Sequence, residues 1–198
     1  DALVFGTSGL ETAPLMLALV VTLALVTGRA RHPRRTAVVA GVMAGVAAGL
    51  RPDAILLAPI AACVPLIPRV PALHRLVPAE ARDADDDRAS AWDLACSLWF
   101  MAGVLAIWLP LNGFRIAYYG DFFPNTYYAK SADRAWWDQG LIYLGAYHQR
   151  YGAHLCGIPL ALAAVAAGDP HRRWREIYIG LGFALLYTLY VTRVGGDF

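Results

Sequence analysis

The chain has 198 residues, of which 58% are hydrophobic and only 16% charged, with a mean hydropathy of +0.45. A soluble domain carries nearer a quarter of its residues charged, so this composition excludes a disordered chain, a basic nucleic-acid-binding module and a disulfide-rich secreted scaffold, and it fits a polytopic membrane protein. The net charge of +2 conceals an uneven distribution, because sixteen Arg and one Lys gather in a few short segments. The chain starts at Asp1 with no initiator Met and no hydrophobic leader, and it stops at Phe198 inside a polar motif. The expectation is the middle piece of a longer protein, truncated at both ends.

Six apolar stretches follow one another at residues 12–27, 36–50, 54–68, 91–114, 153–168 and 177–194. The fourth and sixth approach the ~20 residues that cross a ~30 Å hydrocarbon core. The second and third are shorter, and Pro59, Pro65 and Pro68 interrupt the third. Proline removes a helical hydrogen bond, which membrane helices tolerate when a neighbour satisfies the freed carbonyl. The alternative for these two stretches is one long kinked crossing.

Charge decides between the two. Arg29, Arg31, Arg34 and Arg35 form one basic segment, Arg172, Arg173 and Arg175 another, and the linker 69–90 carries Arg69, Arg75, Arg82 and Arg88. With six spans these loops share one face, which then holds 11 of the 17 Lys and Arg residues and is cytoplasmic by the positive-inside rule. A single crossing would leave Arg51 and Asp53 in mid-membrane, at high cost. The expected fold is therefore all-α: a polytopic transmembrane helical bundle with about six spans in the plasma membrane.

That topology sends four polar islands to the outer face. They are GTSGLET at 6–12, Arg51-Pro52-Asp53, the loop 115–152, and Gly195-Gly196-Asp197-Phe198. Cys63, Cys96 and Cys156 all fall in apolar stretches and read as buried thiols acting as small hydrophobes. The five His show no metal-ligand spacing, and no cofactor motif, nucleic-acid motif or internal repeat is visible. The linker, with its Asp85-Asp86-Asp87 run, reads as a solvated cytoplasmic loop.

The outer loop is dense in aromatics, and an interfacial belt of Tyr and Trp accounts for part of them. It does not account for GDFFPNT, where Gly120 and Pro124-Asn125 force a turn. That turn sets Asp121 beside two Phe, with Lys130 nearby. Rings that pack on sugar CH faces, a carboxylate or amide for hydroxyls, and a cation for phosphate are what recognition of a phosphorylated sugar requires. Leu141, Leu144, Tyr147 and Tyr151 follow helical spacing and read as an amphipathic helix on the membrane surface, either anchoring the loop or guiding a lipid substrate. Arg51 reads as a snorkelling Arg, or Arg51 and Asp53 as a buried ion pair stabilising a helix break, or as an Arg held by Asp53 and aimed at a lipid-linked phosphate. Glu11 suits the start of a helix. The string GGDF is also found in soluble cyclic-dinucleotide synthases, but here the acidic residue that should follow is absent and the string caps an apolar helix.

In order along the chain, SGLET, GLRPD before an apolar run, YYGDFFPNTYYAK, and GGDF after a late apolar stretch resemble the integral-membrane glycosyltransferases of the GT-C superfamily. Within it they are most similar to the terminal β-1,2-arabinofuranosyltransferases. YYGDFFPNTYYAK is the most specific of the four. The resemblance implies a multi-helix fold, a polyprenyl-phosphate-linked sugar donor, a cell-envelope glycan acceptor and an extracytoplasmic active site. It implies no cofactor. Residue by residue, it suggests Lys130 and Arg51 for phosphate contact and Asp121 and Asp197 for hydroxyl binding or assistance to the base. Asn125, Tyr127 and Tyr128 would shape the sugar pocket, and Glu11 and Asp53 would position these groups. Enzymes of this type carry an acidic motif in their first outer loop that serves as catalytic base. This chain begins after it, so the piece alone is expected to be inactive. The rival from another class is a transporter or lipid flippase, with a non-catalytic assembly subunit as a third reading.

Overall fold

In a computed structural model of the chain, residues 12–28, 30–69, 92–121, 134–151 and 174–196 are described. These residues are helical almost throughout, and there is no strand among them. Helix α1 is Thr12–Thr27 and α2 is Pro33–Leu50. A composite helix follows: a 3-10 turn at Pro52–Leu56, α3 at Leu57–Cys63, and a second 3-10 segment at Val64–Arg69. Then come α4 at Leu94–Tyr119, α5 at Trp137–Tyr151 and α6 at Trp174–Val194.

Prolines set the punctuation. Pro33 opens α2 and Pro52 opens the composite helix, positions where a missing N–H costs nothing. Pro59 and Pro65 fall in the first turns of α3 and of the second 3-10 segment. The third apolar stretch thus stays helical through its prolines by alternating 3-10, α and 3-10 geometry. Arg51 is extended, at φ −135° and ψ 117°, and separates α2 from the composite helix. A single continuous crossing through both stretches is therefore not formed.

Helix directions follow from the contacts. Ala18 of α1 packs with Ala47 and Ala54, while the Thr22 hydroxyl lies 3.5 Å from the Ala40 carbonyl, so α1 and α2 are antiparallel. Along the α2–α4 seam, Gly41 meets Phe100 and Gly103, Gly45 meets Val104 and Ile107, and Gly49 meets Leu111. Both numberings rise together, so α2 and α4 run parallel. Small residues make this seam possible. A Cβ on Gly41 would overlap the Phe100 carbonyl, and one on Gly103 would overlap the Val38 carbonyl. Between the two parallel helices the composite helix returns the chain, with the Ser97 hydroxyl donating to the Ala62 carbonyl at 2.8 Å and accepting from Trp92 Nε1 at 3.1 Å.

The main buried cluster joins Val26, Ala37, Val64, Trp92, Cys96 and Phe100, and it takes in Trp174 and Ile179 from the first turns of α6. Farther along α6, Gly182 sits against Ile60. One end of the bundle accordingly holds the close of α1 and the starts of α2, α4 and α6, with Arg31, Arg34, Arg35 and Arg175 among their residues. The other holds the close of α2, α4 and α6 and the start of the composite helix.

Two of the described helices, Leu94–Tyr119 and Trp174–Val194, are long and apolar enough to cross a membrane. They correspond to the fourth and sixth expected spans. Six such spans are not present among the described residues: α1 has 16 residues, α2 has 18 and begins with Arg34 and Arg35, and Pro52–Ile67 is a shorter apolar helix. The expected span 153–168 lies outside the described residues. Large apolar side chains face outward along both long helices, among them Leu98, Leu105 and Leu109 on α4 and Leu181 and Leu185 on α6. A surface of that kind needs an apolar cover. The cysteine expectation holds only in part. Cys96 is buried, Cys63 is exposed on the outward side of α3, and Cys156 lies outside the described residues.

Candidate functional site

The described parts of the polar islands, Arg51-Pro52-Asp53, residues 115–121 and 134–151, and Gly195-Gly196, lie at helix termini on the end opposite the basic cluster. Of the nine residues expected in the site, three are described: Arg51, Asp53 and Asp121. Glu11, Asn125, Tyr127, Tyr128, Lys130 and Asp197 lie outside the described residues.

Arg51 and Asp53 are brought together. The Arg51 Nε lies 3.4 Å from a carboxylate oxygen of Asp53, with the Arg side chain 42% exposed and the Asp side chain 12% exposed. The chain around them explains why. The Arg51 N–H closes α2 on the Ala47 carbonyl, and its own carbonyl accepts from the Ala54 N–H. The side chain is thus left at the break, and Asp53, in the first turn of the next helix, suits the positive end of that helix. Of the readings the sequence left open for this pair, the ion pair at a helix break is formed, but with Arg51 half exposed rather than buried. The guanidinium is thus open to whatever occupies that end of the bundle.

Asp121 is not brought to this pair. Leu111 of α4 is level with Gly49, just before the break. The helix then runs on for eight more residues to Tyr119, about 12 Å at 1.5 Å per residue. Gly120 ends it at φ 78°, and Asp121 follows, exposed. Most of this overhang lies beyond residue 114, where the fourth apolar stretch was expected to stop. Its aromatics are exposed and touch one another: Phe114 stacks on Tyr118 at 5.5 Å, and Tyr118 meets Tyr119 edge-on at 4.7 Å. Nearby, Asn112 is buried and donates to the Trp108 carbonyl at 2.8 Å, a polar position within an apolar helix.

Helix α5 was expected over 141–151 and begins earlier, at Trp137. The expected stripe was assigned to the membrane surface, and Leu141 and Tyr147 on it are exposed; the face packed on α6 is a different one. Gly140 is buried against the Thr192 backbone of α6, Tyr143 lies over Gly196, and Leu141 and Ile142 are exposed. The Trp136 N–H donates to the Arg193 carbonyl at 2.7 Å. The sequence reading missed this contact because hydropathy points to Leu141, whereas the approach is made by a glycine, which carries no hydropathy signal. Among the described residues no group of three or more His, Cys, Asp or Glu side chains could hold a metal ion.

No family model matches the chain, and no solved structure matches it. The chain is similar to a terminal β-(1→2)-arabinofuranosyltransferase of Corynebacterium glutamicum, at 37% identity over 115 residues covering 48% of this chain. It spans only 17% of that relative's length. The resemblance read from the four motifs is thus met by direct sequence similarity to a terminal β-(1→2)-arabinofuranosyltransferase.

Proposed function

We propose that the chain is part of a multi-pass plasma-membrane glycosyltransferase that moves a sugar, arabinofuranose by similarity, from a polyprenyl-phosphate donor to a cell-envelope glycan. The observation that carries this reading is the 37% identity to the arabinofuranosyltransferase. The helix directions support a working face opposite the basic end, since positive residues mark the cytoplasmic side. On this reading the crossings number about six, residues 69–90 form a cytoplasmic linker, and residues 115–152 lie outside the membrane.

In the reaction, an acceptor hydroxyl oxygen attacks the anomeric carbon of the donor. The bond from that carbon to the phosphate oxygen breaks, and polyprenyl phosphate leaves. A carboxylate takes the hydroxyl proton. Cations stabilise the charge that develops on the leaving phosphate. Arg51, half exposed at the helix break, and Lys130 are assigned to that phosphate. Asp121 and Asp197 are assigned to acceptor or sugar hydroxyls, in support of a base elsewhere in the protein. Asn125, Tyr127 and Tyr128 line the sugar, and Asp53 and Glu11 hold their neighbours in place. A transporter would set its ionisable groups near the midplane between repeats, whereas Arg51 and Asp53 stand at a helix end.

The test is transfer of radiolabelled sugar from a polyprenyl-phosphate arabinofuranose donor in membranes holding the full-length protein. Asp121→Asn and Lys130→Ala should each lower the rate by about a hundredfold. Wild-type rates in both variants would overturn the assignment.

A further inference from the structure

Helix α6 has 21 residues, about 31 Å at 1.5 Å per residue, which matches the ~30 Å hydrocarbon core of a bilayer. Its first turns are packed at the basic end, so its last turn stands at the opposite membrane boundary. Helix α5 meets it there. The Trp136 N–H donates to the Arg193 carbonyl at 2.7 Å, Gly140 lies on the Thr192 backbone, and Tyr143 lies against Gly196. Gly196 itself folds back to donate to the Val191 carbonyl at 2.9 Å, so these three contacts stand at one level of α6. They are spread along residues 136–143, so α5 lies across the end of α6 rather than alongside it. Its 15 residues, about 22 Å, reach beyond the ~10 Å width of α6.

At ~100° per residue, Trp137 and Leu141 fall ~60° and ~100° round α5 from Gly140 on one flank, and Tyr147 falls ~20° from it, two turns further on. All three are exposed, Leu141 at 59%. Asp138 and Gln149 stand on the far side and Gln139 and Arg150 on the opposite flank, all exposed. Ile142 is the exception, an exposed apolar residue on the polar side. At the junction itself Arg134 and Arg193 are exposed, and neither has a carboxylate partner among the described residues. We propose that α5 and its junction with α6 form a docking surface for anionic lipid of the outer leaflet. Trp137, Leu141 and Tyr147 enter the boundary between headgroups and acyl chains, and Arg134 and Arg193 pair with headgroup phosphates. The proposal rests on the membrane reading above. Depth, side-chain type and face all select lipid as the occupant. The contacts hold α5 at the level where a membrane-length helix ends. Trp, Tyr and Arg are side chains that headgroup depth favours. A flank in water would not leave Trp137 and Leu141 open side by side, and a flank buried in protein would not carry two cations at its edge without carboxylates.

Spin labels test this in the full-length protein, freed of its native Cys and reconstituted in phosphatidylcholine vesicles. Single labels are placed at Leu141→Cys, Tyr147→Cys, Gln139→Cys and Gln149→Cys. Each is probed by collision with oxygen, which concentrates in lipid, and with a water-soluble nickel chelate. The oxygen-to-nickel ratio should be about threefold or more higher at the first two positions than at the last two. Nickel reaching Leu141 as readily as Gln149 would place the flank in water, and exclusion of both reagents would place it under protein. Either result overturns the proposal. A label at Leu185→Cys, on the outward face of α6, reports on the membrane reading separately: if the nickel chelate reaches it freely, that reading fails and the proposal with it. In vesicles of equal parts phosphatidylcholine and phosphatidylglycerol the ratio at Leu141 should rise further, and Arg134→Gln with Arg193→Gln should cancel the rise. A ratio indifferent to phosphatidylglycerol would overturn the pairing of the two arginines with headgroup phosphates.

Discussion

The parallel seam between α2 and α4 makes a graded prediction. Ordinary van der Waals contact of a Cβ begins near 3.4 Å. A Cβ at Gly45 would sit 2.9 Å from both the Val104 carbonyl and the Ile107 Cβ, so the helices would have to part by about half an ångström. At Gly41 the obstruction is the Phe100 backbone itself, which no side-chain rotation relieves. At Gly113, on the same helix as Gly103, nothing lies within 4 Å. Overpacking of this kind costs typically ~1–3 kcal/mol, so Gly41→Ala belongs near the top of that range and Gly45→Ala near ~1 kcal/mol. Gly113→Ala should instead gain up to ~0.5–1 kcal/mol, because alanine loses less backbone entropy in a helix. The gap between Gly41→Ala and Gly113→Ala is then about 3 kcal/mol, roughly a hundredfold in the folded-to-unfolded ratio. Gly41→Ala with Gly103→Ala should cost less than the sum of the two, since both obstruct the same approach and one parting of the helices relieves both clashes. Unfolding of the purified protein in graded SDS–detergent mixtures reads these differences. Equal stabilities for Gly41→Ala and Gly113→Ala would refute the seam, and with it the parallel course of α2 and α4.

Three further predictions follow from buried and half-exposed polar contacts. Ser97→Ala strands the Ala62 carbonyl and the Trp92 indole N–H and should cost about 1–2 kcal/mol in the same unfolding assay. A change below about 0.5 kcal/mol would mean that this residue does not tie α3 to α4. Asp53→Asn should shift stability by less than ~1 kcal/mol, because its partner Arg51 is 42% exposed and such pairs contribute little. Arg51→Ala should lower sugar transfer well beyond any change in the amount of folded protein. Activity that simply tracks the folded fraction would reduce Arg51 to a helix-break residue.

What was legible in the sequence was the part that hydropathy and proline write locally. The helices at Leu94–Tyr119 and Trp174–Val194 were visible as long apolar runs, and Arg51-Pro52 marked the break because an extended Arg followed by proline ends one helix and opens another. The direction of each helix against its neighbours was reached only through the charge pattern. The contacts that fix it involve Gly41, Gly103 and Gly140, whose contribution is the absence of a side chain. The overhang of α4 escaped notice because Phe114 to Tyr119 reads equally as loop or helix by composition. The outward face of Cys63 escaped notice because an apolar helix offers no polar side to mark its exterior. Of the site, the Arg51–Asp53 pair was legible from its spacing. The contact of Tyr143 with Gly196 joins residues more than fifty positions apart and leaves no local pattern.

The central claim is that one end of this bundle, the end bearing Arg51, Asp53 and Asp121, faces outward and opposes the basic end. Substituted-cysteine labelling tests it directly, with Cys63, Cys96 and Cys156 replaced by Ala and a single Cys placed at Asp121 or at Arg31. A membrane-impermeant maleimide added to intact cells should label the Asp121→Cys protein and leave Arg31→Cys untouched until the membrane is opened. Labelling of both positions in intact cells, or of Arg31→Cys alone, would contradict the account.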